Sequence, residues 1–153
     1  MPQMLPRRLA LVLAVLLFAP APAWAGGGFD DPALVARLLP SVVAIAIDVP
    51  APTAADAAAT KLEHASGFVI DPAGMILTNG HVVDNARAIR VVLSDGATLP
   101  ARLLYQAPVD LALIQVDAGR PLPAVTWGDS DRLRPGDGVI AIGNPLGIGI
   151  SVS

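Results

Sequence analysis

The sequence predicts an all-β protein, built as a sandwich or as a closed barrel. About seven short stretches are rich in apolar and β-branched residues and have the length of strands. Clusters of Gly, Pro, Asp and Ser separate these stretches at short intervals, as turns separate consecutive strands. Helical patterns do not alternate with them, which argues against a parallel βαβ sheet and favours a sandwich or barrel.

The individual elements follow from these patterns. Strands are predicted at residues 41–48, 66–70, 75–77, 88–93, 98–105, 111–116 and 139–142. A short helix over Ala33–Leu39 is predicted to be capped by Asp30 or Asp31 and ended by Pro40. The stretch Val49–Glu63 is rich in Ala, Pro and Thr, and we interpret it as a surface loop that is followed by His64, also in a loop.

The first 25 residues have the pattern of a secretory signal peptide. Arg7 and Arg8 precede the apolar run Leu9–Phe18, and the small residues Ala23 and Ala25 mark a cleavage site. The apolar run is shorter than the roughly 20 residues that a bilayer span requires. An uncleaved membrane anchor is the alternative interpretation, but we expect an exported protein without a stable membrane span after cleavage.

Composition excludes several classes of protein. There are no cysteines, which excludes a thiol nucleophile and a cysteine-based zinc site in this chain. The net charge is −3, and loss of Arg7 and Arg8 with the signal peptide makes it −5 (−3 − 2). With Lys61 as the sole lysine, neither a nucleic-acid partner nor a polybasic membrane patch is expected. The two histidines lie in different contexts, so we expect no metal and no cofactor.

Two polar residues lie at the ends of apolar strands. His81 follows a predicted strand directly after the break at Asn79-Gly80, and Asp110 begins the strand at 111–116. A buried carboxylate needs a partner, and His81 is the candidate, because an Asp that fixes one imidazole nitrogen makes the other a general base. A structural histidine and a turn-capping aspartate would give the same pattern, and periodicity alone does not show that the two residues meet.

Seven segments of the chain closely resemble the trypsin-like serine proteases of the HtrA/Deg family. They occur in the family's order and near its spacing, and the resemblance as a whole extends from about Leu34 to the last residue. The segments are Ala65–Asp71, Leu77–Val83, Val92–Gly96, Asp110–Ile114, Gly128–Asp131, Leu133–Asp137 and Ala141–Gly147.

The resemblance implies a trypsin-like (chymotrypsin-type) fold, of which the chain would hold the N-terminal six-stranded β-barrel but not the second barrel. The implied organisation is a signal peptide at 1–25, an N-terminal segment with a short helix at 26–40, the first barrel at 41–143 and the start of the crossing to the second barrel at 144–153.

The resemblance also implies a catalytic role for His81 as general base and for Asp110 as the residue that orients it. The family's serine lies in a Gly-Asn-Ser-Gly-Gly segment, which does not occur in this sequence. We therefore expect a truncated protease whose nucleophile lies beyond Ser153, and we expect the chain by itself to be inactive.

Partners and location follow from the same resemblance. It implies a periplasmic serine endopeptidase for protein quality control, which acts on unfolded or damaged polypeptides as a homotrimer or higher oligomer. One alternative is an inactive protease-like binding or chaperone module. Another is an unrelated small β-domain that binds ligands in the bacterial envelope.

Export is directly testable. Cleavage after Ala25 should give a mature protein that begins at Gly26, because the preceding residues have the charge and hydropathy of a cleaved signal. The intact mass of the protein from the envelope fraction measures this. A membrane-bound species that retains Met1 to Ala25 would contradict the prediction.

Overall fold

The computed structural model describes residues 32–51, 59–144 and 149–153. The predicted signal peptide at 1–25 and the predicted helix caps Asp30 and Asp31 lie outside these residues. Within them, six antiparallel strands form a closed barrel, which confirms the predicted all-β class and the six-stranded barrel. No helix in this part of the chain is both long enough and apolar enough to cross a bilayer.

The elements are short and follow one another closely along the chain. Helix α1 (Pro32–Leu38) continues into a 3₁₀ turn (Leu39–Ser41) and leads to the barrel strands β1 (Val42–Pro50), β2 (Thr60–Asp71), β3 (Met75–Thr78), β4 (Ala88–Val92), β5 (Thr98–Ala107) and β6 (Leu111–Val116). A single helical turn, α2 (Gly80–Val83), follows β3. A 3₁₀ turn (Ser130–Arg132) and the short pair β7 (Ile142–Gly143) and β8 (Ser151–Val152) come after the barrel.

The strands follow the order β1-β2-β3-β6-β5-β4, and β4 returns to β1 to close the barrel. At this closure Ala46 lies opposite Arg90, and the Arg90 guanidinium donates two hydrogen bonds, of 2.8 and 3.0 Å, to the carboxylate of Asp48. The two parallel bonds have the geometry that a guanidinium and a carboxylate prefer. The ion pair therefore fastens β4 to β1 along the closing seam.

The barrel interior is filled by aliphatic side chains. Ile45, Ile76, Val91 and Ile114 come from four different strands and are fully buried. Along β6, after the exposed Leu111, buried and half-buried positions alternate, as expected for a strand with one face toward the core. Leu122, in the segment after β6, adds its side chain to the same cluster. The core thus fixes which side chains of each strand face outward.

Two details of the predicted elements are wrong. The predicted loop Val49–Glu63 is partly strand, because β1 runs to Pro50 and β2 begins at Thr60, with Val49 opposite Lys61. His64 consequently lies in β2, opposite Ala46, and not in a loop. We call this extension, in which residues 46–50 of β1 pair with residues 60–64 of β2, the β1–β2 arm. Local composition did not predict it, because its pairing is set by the continued β1–β2 register.

The strand predicted at 139–142 is also wrong. Only Ile142–Gly143 is strand, and it pairs with Ser151–Val152, so this segment stays outside the barrel. The predicted segment has the apolar composition of a strand, but six other strands already close the barrel.

Gly74 and Gly96 provide a matched test of the barrel's packing. Both have positive φ, 90° and 86°, but a Cβ at Gly74 would overlap the carbonyl oxygen of Val116, whereas a Cβ at Gly96 meets no atom within 4 Å. Gly96→Ala should lose about 1–2 kcal/mol through backbone strain alone. Gly74→Ala should lose about 2–5 kcal/mol, since overpacking adds about 1–3 kcal/mol to the same strain. Denaturant unfolding measures both variants, and equal losses would contradict the described contact.

Candidate active site

The pairing of β3 with β6 brings the two candidate residues to the same end of the barrel. Thr78, the last residue of β3, lies opposite Ala112, the second residue of β6. His81 follows Thr78 by three residues and Asp110 precedes Ala112 by two, so both emerge where these strands meet. The buried Thr78 hydroxyl donates to the carbonyl oxygen of Ser66 at 2.8 Å and fixes this end of β3 to β2.

The side chains of His81 and Asp110 are in direct contact. Nδ1 of His81 lies 2.9 Å from Oδ1 and 3.0 Å from Oδ2 of Asp110. A carboxylate only accepts hydrogen bonds, so Nδ1 must carry the proton. In the neutral imidazole this leaves Nε2 as the basic nitrogen, the tautomer that a general base requires.

Two further donors hold the Asp110 carboxylate. The backbone N–H of His81 donates to Oδ1 at 2.8 Å, and the Asn79 amide donates to Oδ2 at 3.2 Å. The backbone bond from His81, followed by the bond from its ring, lowers the pKa of Asp110 below its ordinary range, and the Asn79 amide adds to this effect. The carboxylate is therefore held as an anion in a fixed orientation.

Helix α2 positions His81 through its neighbours. Val83 is buried in the core, while His81, two residues earlier, stays exposed. From β5, Nε2 of Gln106 donates to the Gly80 carbonyl at 3.1 Å and to Oδ1 of Asp84 at 2.8 Å. These two bonds join both ends of the helical turn to the barrel wall, so the imidazole is carried on an anchored element.

Backbone geometry lets Asp110 approach this turn. Asp110 has a φ of 56°, in the left-handed region that costs most non-glycine residues free energy and is common at functional sites. A Cβ at Gly80 would lie only 3.2 Å from Cα and 3.3 Å from Oδ1 of Asp110. The contact therefore uses both the turn conformation of Asp110 and the small residue at position 80.

The pair lies open to solvent, which corrects the expectation of a buried aspartate. The side chains of His81 and Asp110 are 69% and 51% exposed. Beside them, Tyr105, Leu111 and Leu113 contribute to a shallow apolar cavity of about 250 Å³ on the outer face of the barrel. Solvent at the pair weakens its electrostatics, since ion pairs are screened where water has access.

Sequence reasoning did not identify Asn79 and Gln106 as members of this site. Asn79 directly precedes Gly80 and is adjacent in sequence to the His81 turn, so its position gave a usable signal. Gln106 gave none, because only the β5–β6 register, which places it opposite Ala112, reveals that it lies near α2. Both residues act on the pair through hydrogen bonds to the backbone or to Asp110.

No serine in the described part of the chain is hydrogen-bonded to His81. The hydroxyl of Ser66 accepts a bond of 2.6 Å from the Asn144 backbone, and Ser94 donates to the Pro40 carbonyl. His64 lies on the β1–β2 arm. In the same described ranges, no three His, Asp or Glu side chains are grouped to hold a metal ion.

Known proteins match this chain over much of its barrel and the segment that follows. A family model described as "Trypsin-like peptidase domain" matches residues 65–153. The chain is 49% identical over 90 residues to the periplasmic serine endoprotease DegP of Salmonella typhimurium, a match that covers 58% of the chain and 19% of that protein. It is also 49% identical over 83 residues to a probable periplasmic serine endoprotease DegP-like protein of Rickettsia conorii, covering 54% of the chain and 16% of that protein.

A solved structure also matches this chain. The HtrA-type protease AlgW with tripeptide superposes with a TM-score of 0.67 at 35% identity, and the match covers 77% of this chain and 36% of that one. The chain thus spans about a fifth or less of the length of the DegP relatives that it matches.

The hydrogen bonds on Asp110 predict a pH dependence of stability. Because folding lowers the pKa of Asp110, the ionised carboxylate stabilises the fold above the unfolded-state pKa of about 3.9, and this contribution is lost as the pH falls through the folded-state pKa. The difference in unfolding free energy between wild type and Asp110→Asn should therefore shrink as the pH falls from about 5 to about 3.

Carboxyl NMR titration tests the cause. Asn79→Ala removes one donor and should move the pKa of Asp110 back toward its ordinary value. An Asp110 pKa at or above the ordinary value in the wild-type protein would contradict the described geometry.

Proposed function

The chain belongs to the trypsin-like peptidase family, within its HtrA/Deg group, and we propose that it supplies the histidine and aspartate of a serine endopeptidase active site. The observation that supports this most directly is the contact between Nδ1 of His81 and the carboxylate of Asp110. A structural histidine would satisfy its ring inside the core, whereas His81 exposes its ring beside the carboxylate.

In the proposed mechanism each group has one task. Nε2 of His81 takes the proton from a serine hydroxyl as that hydroxyl attacks a peptide carbonyl, and later gives the proton to the leaving amine. Asp110 holds the Nδ1–H tautomer and stabilises the imidazolium that forms. Asn79 keeps Asp110 in place, and Gln106 keeps the His81 turn against β5.

The nucleophile is proposed to lie outside this sequence. The six serines present are Ser41, Ser66, Ser94, Ser130, Ser151 and Ser153, and none is followed by the two glycines of the family's serine segment. We therefore propose that these 153 residues do not hydrolyse peptides by themselves. The apolar cavity beside Tyr105 and Leu111 is a suitable surface for the remainder of a two-barrel peptidase to cover.

Location and substrate are proposed from the relatives. The names of the DegP relatives describe periplasmic serine endoproteases, and the signal-like first 25 residues agree with export. We propose a periplasmic enzyme that cleaves unfolded or damaged polypeptides and assembles as a homotrimer or higher oligomer. Nothing in the acidic, lysine-poor composition favours a nucleic-acid partner.

The two ends of β6 provide a matched pair of variants for the test. Asp110 directly precedes β6, and Asp117 directly follows it and accepts a bond from the Gly119 N–H. In the longest natural polypeptide that contains this chain, Asp110→Asn should lower turnover about 10⁴-fold, because it stabilises the wrong imidazole tautomer. Asp117→Asn retains the acceptor in its turn and should leave turnover unchanged.

The assay measures cleavage of an unfolded protein such as casein. Thermal unfolding of both variants checks that their folds are intact. Near-normal turnover in folded Asp110→Asn would remove Asp110 from the catalytic site. No cleavage by the folded wild-type polypeptide would favour the alternative of an inactive, protease-like binding or chaperone module.

A further inference from the structure

Asn79 and Gly80 form the sole Asn-Gly step of the sequence, and they lie directly before His81. In such a step the glycine backbone nitrogen can attack the side-chain carbonyl carbon of the asparagine. Glycine presents no Cβ to hinder the ring that forms, and its backbone is the most permissive of any residue. Asn79 is exposed, so water and hydroxide have access to it.

We propose that Asn79 is a site of spontaneous deamidation and that Asp110 restrains this reaction. Conversion of Asn79 dismantles the His81–Asp110 pair. The Gly80 nitrogen gives its proton to hydroxide, which becomes water, and bonds to Cγ of Asn79. Water then protonates Nδ2 and regenerates hydroxide, the Cγ–Nδ2 bond breaks, and ammonia leaves. Water then opens the resulting succinimide at either carbonyl and gives aspartate or isoaspartate. The sequence of steps consumes one water, releases one ammonia and involves no oxidant or reductant.

The structure couples this chemistry to the site. A Cβ at Gly80 would crowd Asp110, at 3.2 Å from its Cα, so close approach of the carboxylate favours glycine at this position. The same glycine makes the preceding asparagine labile. The geometry that assembles the pair and the geometry that limits its lifetime therefore depend on one residue.

Asp110 also restrains the reaction. Nδ2 of Asn79 donates to Oδ2 of Asp110 at 3.2 Å and to its carbonyl oxygen at 3.4 Å. The Asn79 backbone is extended (φ −75°, ψ 149°), and its carbonyl accepts from the Val82 N–H at the start of α2. Ring closure requires the side chain and backbone to rotate out of these contacts, so the reaction proceeds when the site opens.

Both products are incompatible with the observed contacts. Aspartate at position 79 replaces the amide donor with a second carboxylate beside Asp110, which removes a hydrogen bond and adds like-charge repulsion. Isoaspartate routes the main chain through the side chain and adds a methylene immediately before Gly80. The His81 N–H, which donates to Asp110 at 2.8 Å, is then displaced. The deamidation of Asn79 does not depend on the proposed function. Only the expected loss of peptidase activity after the pair is broken rests on it.

The other two asparagines are internal controls. Asn85 precedes Ala86, whose Cβ hinders attack and whose N–H donates to the Val83 carbonyl at 3.2 Å. Asn144 precedes Pro145, which has no N–H to lose. Neither residue should convert at a comparable rate.

The first experiment incubates the purified protein in mildly alkaline buffer and follows each asparagine peptide by mass spectrometry. The peptide with Asn79 should gain one mass unit at least about tenfold faster than the peptide with Asn85, because glycine leaves the attacking nitrogen unhindered. Gly80→Ala should slow this conversion to the Asn85 rate. Retention of Asn79 for as long as Asn85 would overturn the proposal.

A second comparison tests the restraint by Asp110. Asn79 in the native protein should convert more slowly than in denaturant, and Asp110→Asn and Asp110→Ala should both raise the native rate while circular dichroism shows an intact fold. If Asp110→Ala does not fold, Asp110→Asn still carries the test, because it replaces one of the two carboxylate oxygens. An unchanged native rate in a folded variant would overturn the restraint by Asp110. Equal rates for the wild-type protein in native buffer and in denaturant would overturn it as well.

A third comparison tests the consequence for the pair. Asn79→Asp reproduces the aspartate product, and Asn85→Asp adds the same charge after the C-terminal end of α2. The nitrogen chemical shifts of the His81 ring, measured by NMR, should show a protonated Nδ1 in the wild-type protein and in Asn85→Asp, and this tautomer preference should be lost in Asn79→Asp. Its retention in Asn79→Asp would show that conversion leaves the pair intact.

Discussion

The antiparallel register between β3 and β6 is the constraint on which the rest of the site depends. With Thr78 opposite Ala112, the residues that follow β3 and those that precede β6 emerge together at one end of the barrel. A slip of one residue would turn every side chain of the strand to the other face and move Ile114 out of the core. The aliphatic core therefore specifies the register, and the register brings His81 to Asp110.

The contacts that hold the Asp110 carboxylate also determine the chemistry of the neighbouring Asn79-Gly80 step. The imidazole needs an ionised carboxylate at Nδ1, and the structure supplies it through the left-handed turn at Asp110, the backbone N–H of His81 and the Asn79 amide. Each of these contacts depends on close approach to the turn at Gly80. The consequence is an Asn-Gly step within the contact shell of the pair, so precise positioning and chemical lability have the same origin.

The sequence predicted most of the barrel and only part of the site. Strands with strong β-branched patterns, such as Leu111–Val116, were predicted with correct bounds, because their periodicity reflects the buried face. The β1–β2 arm was missed because its Ala- and Pro-rich composition resembles a loop, and its pairing is not local. The contact between His81 and Asp110 spans 29 residues, so residue patterns could only suggest it. Gln106 gave no signal, since its position near α2 depends on three-dimensional pairing.

Labelling with a fluorophosphonate, which reacts with an activated serine, tests the central claim most directly. In the longest natural polypeptide that contains this chain, we expect one labelled serine located after Ser153, and we expect the label to be lost in His81→Ala. The 153-residue chain by itself should remain unlabelled. Labelling of any of the six serines present here, or labelling that persists unchanged in His81→Ala, would contradict the assignment of His81 and Asp110 to a serine peptidase triad.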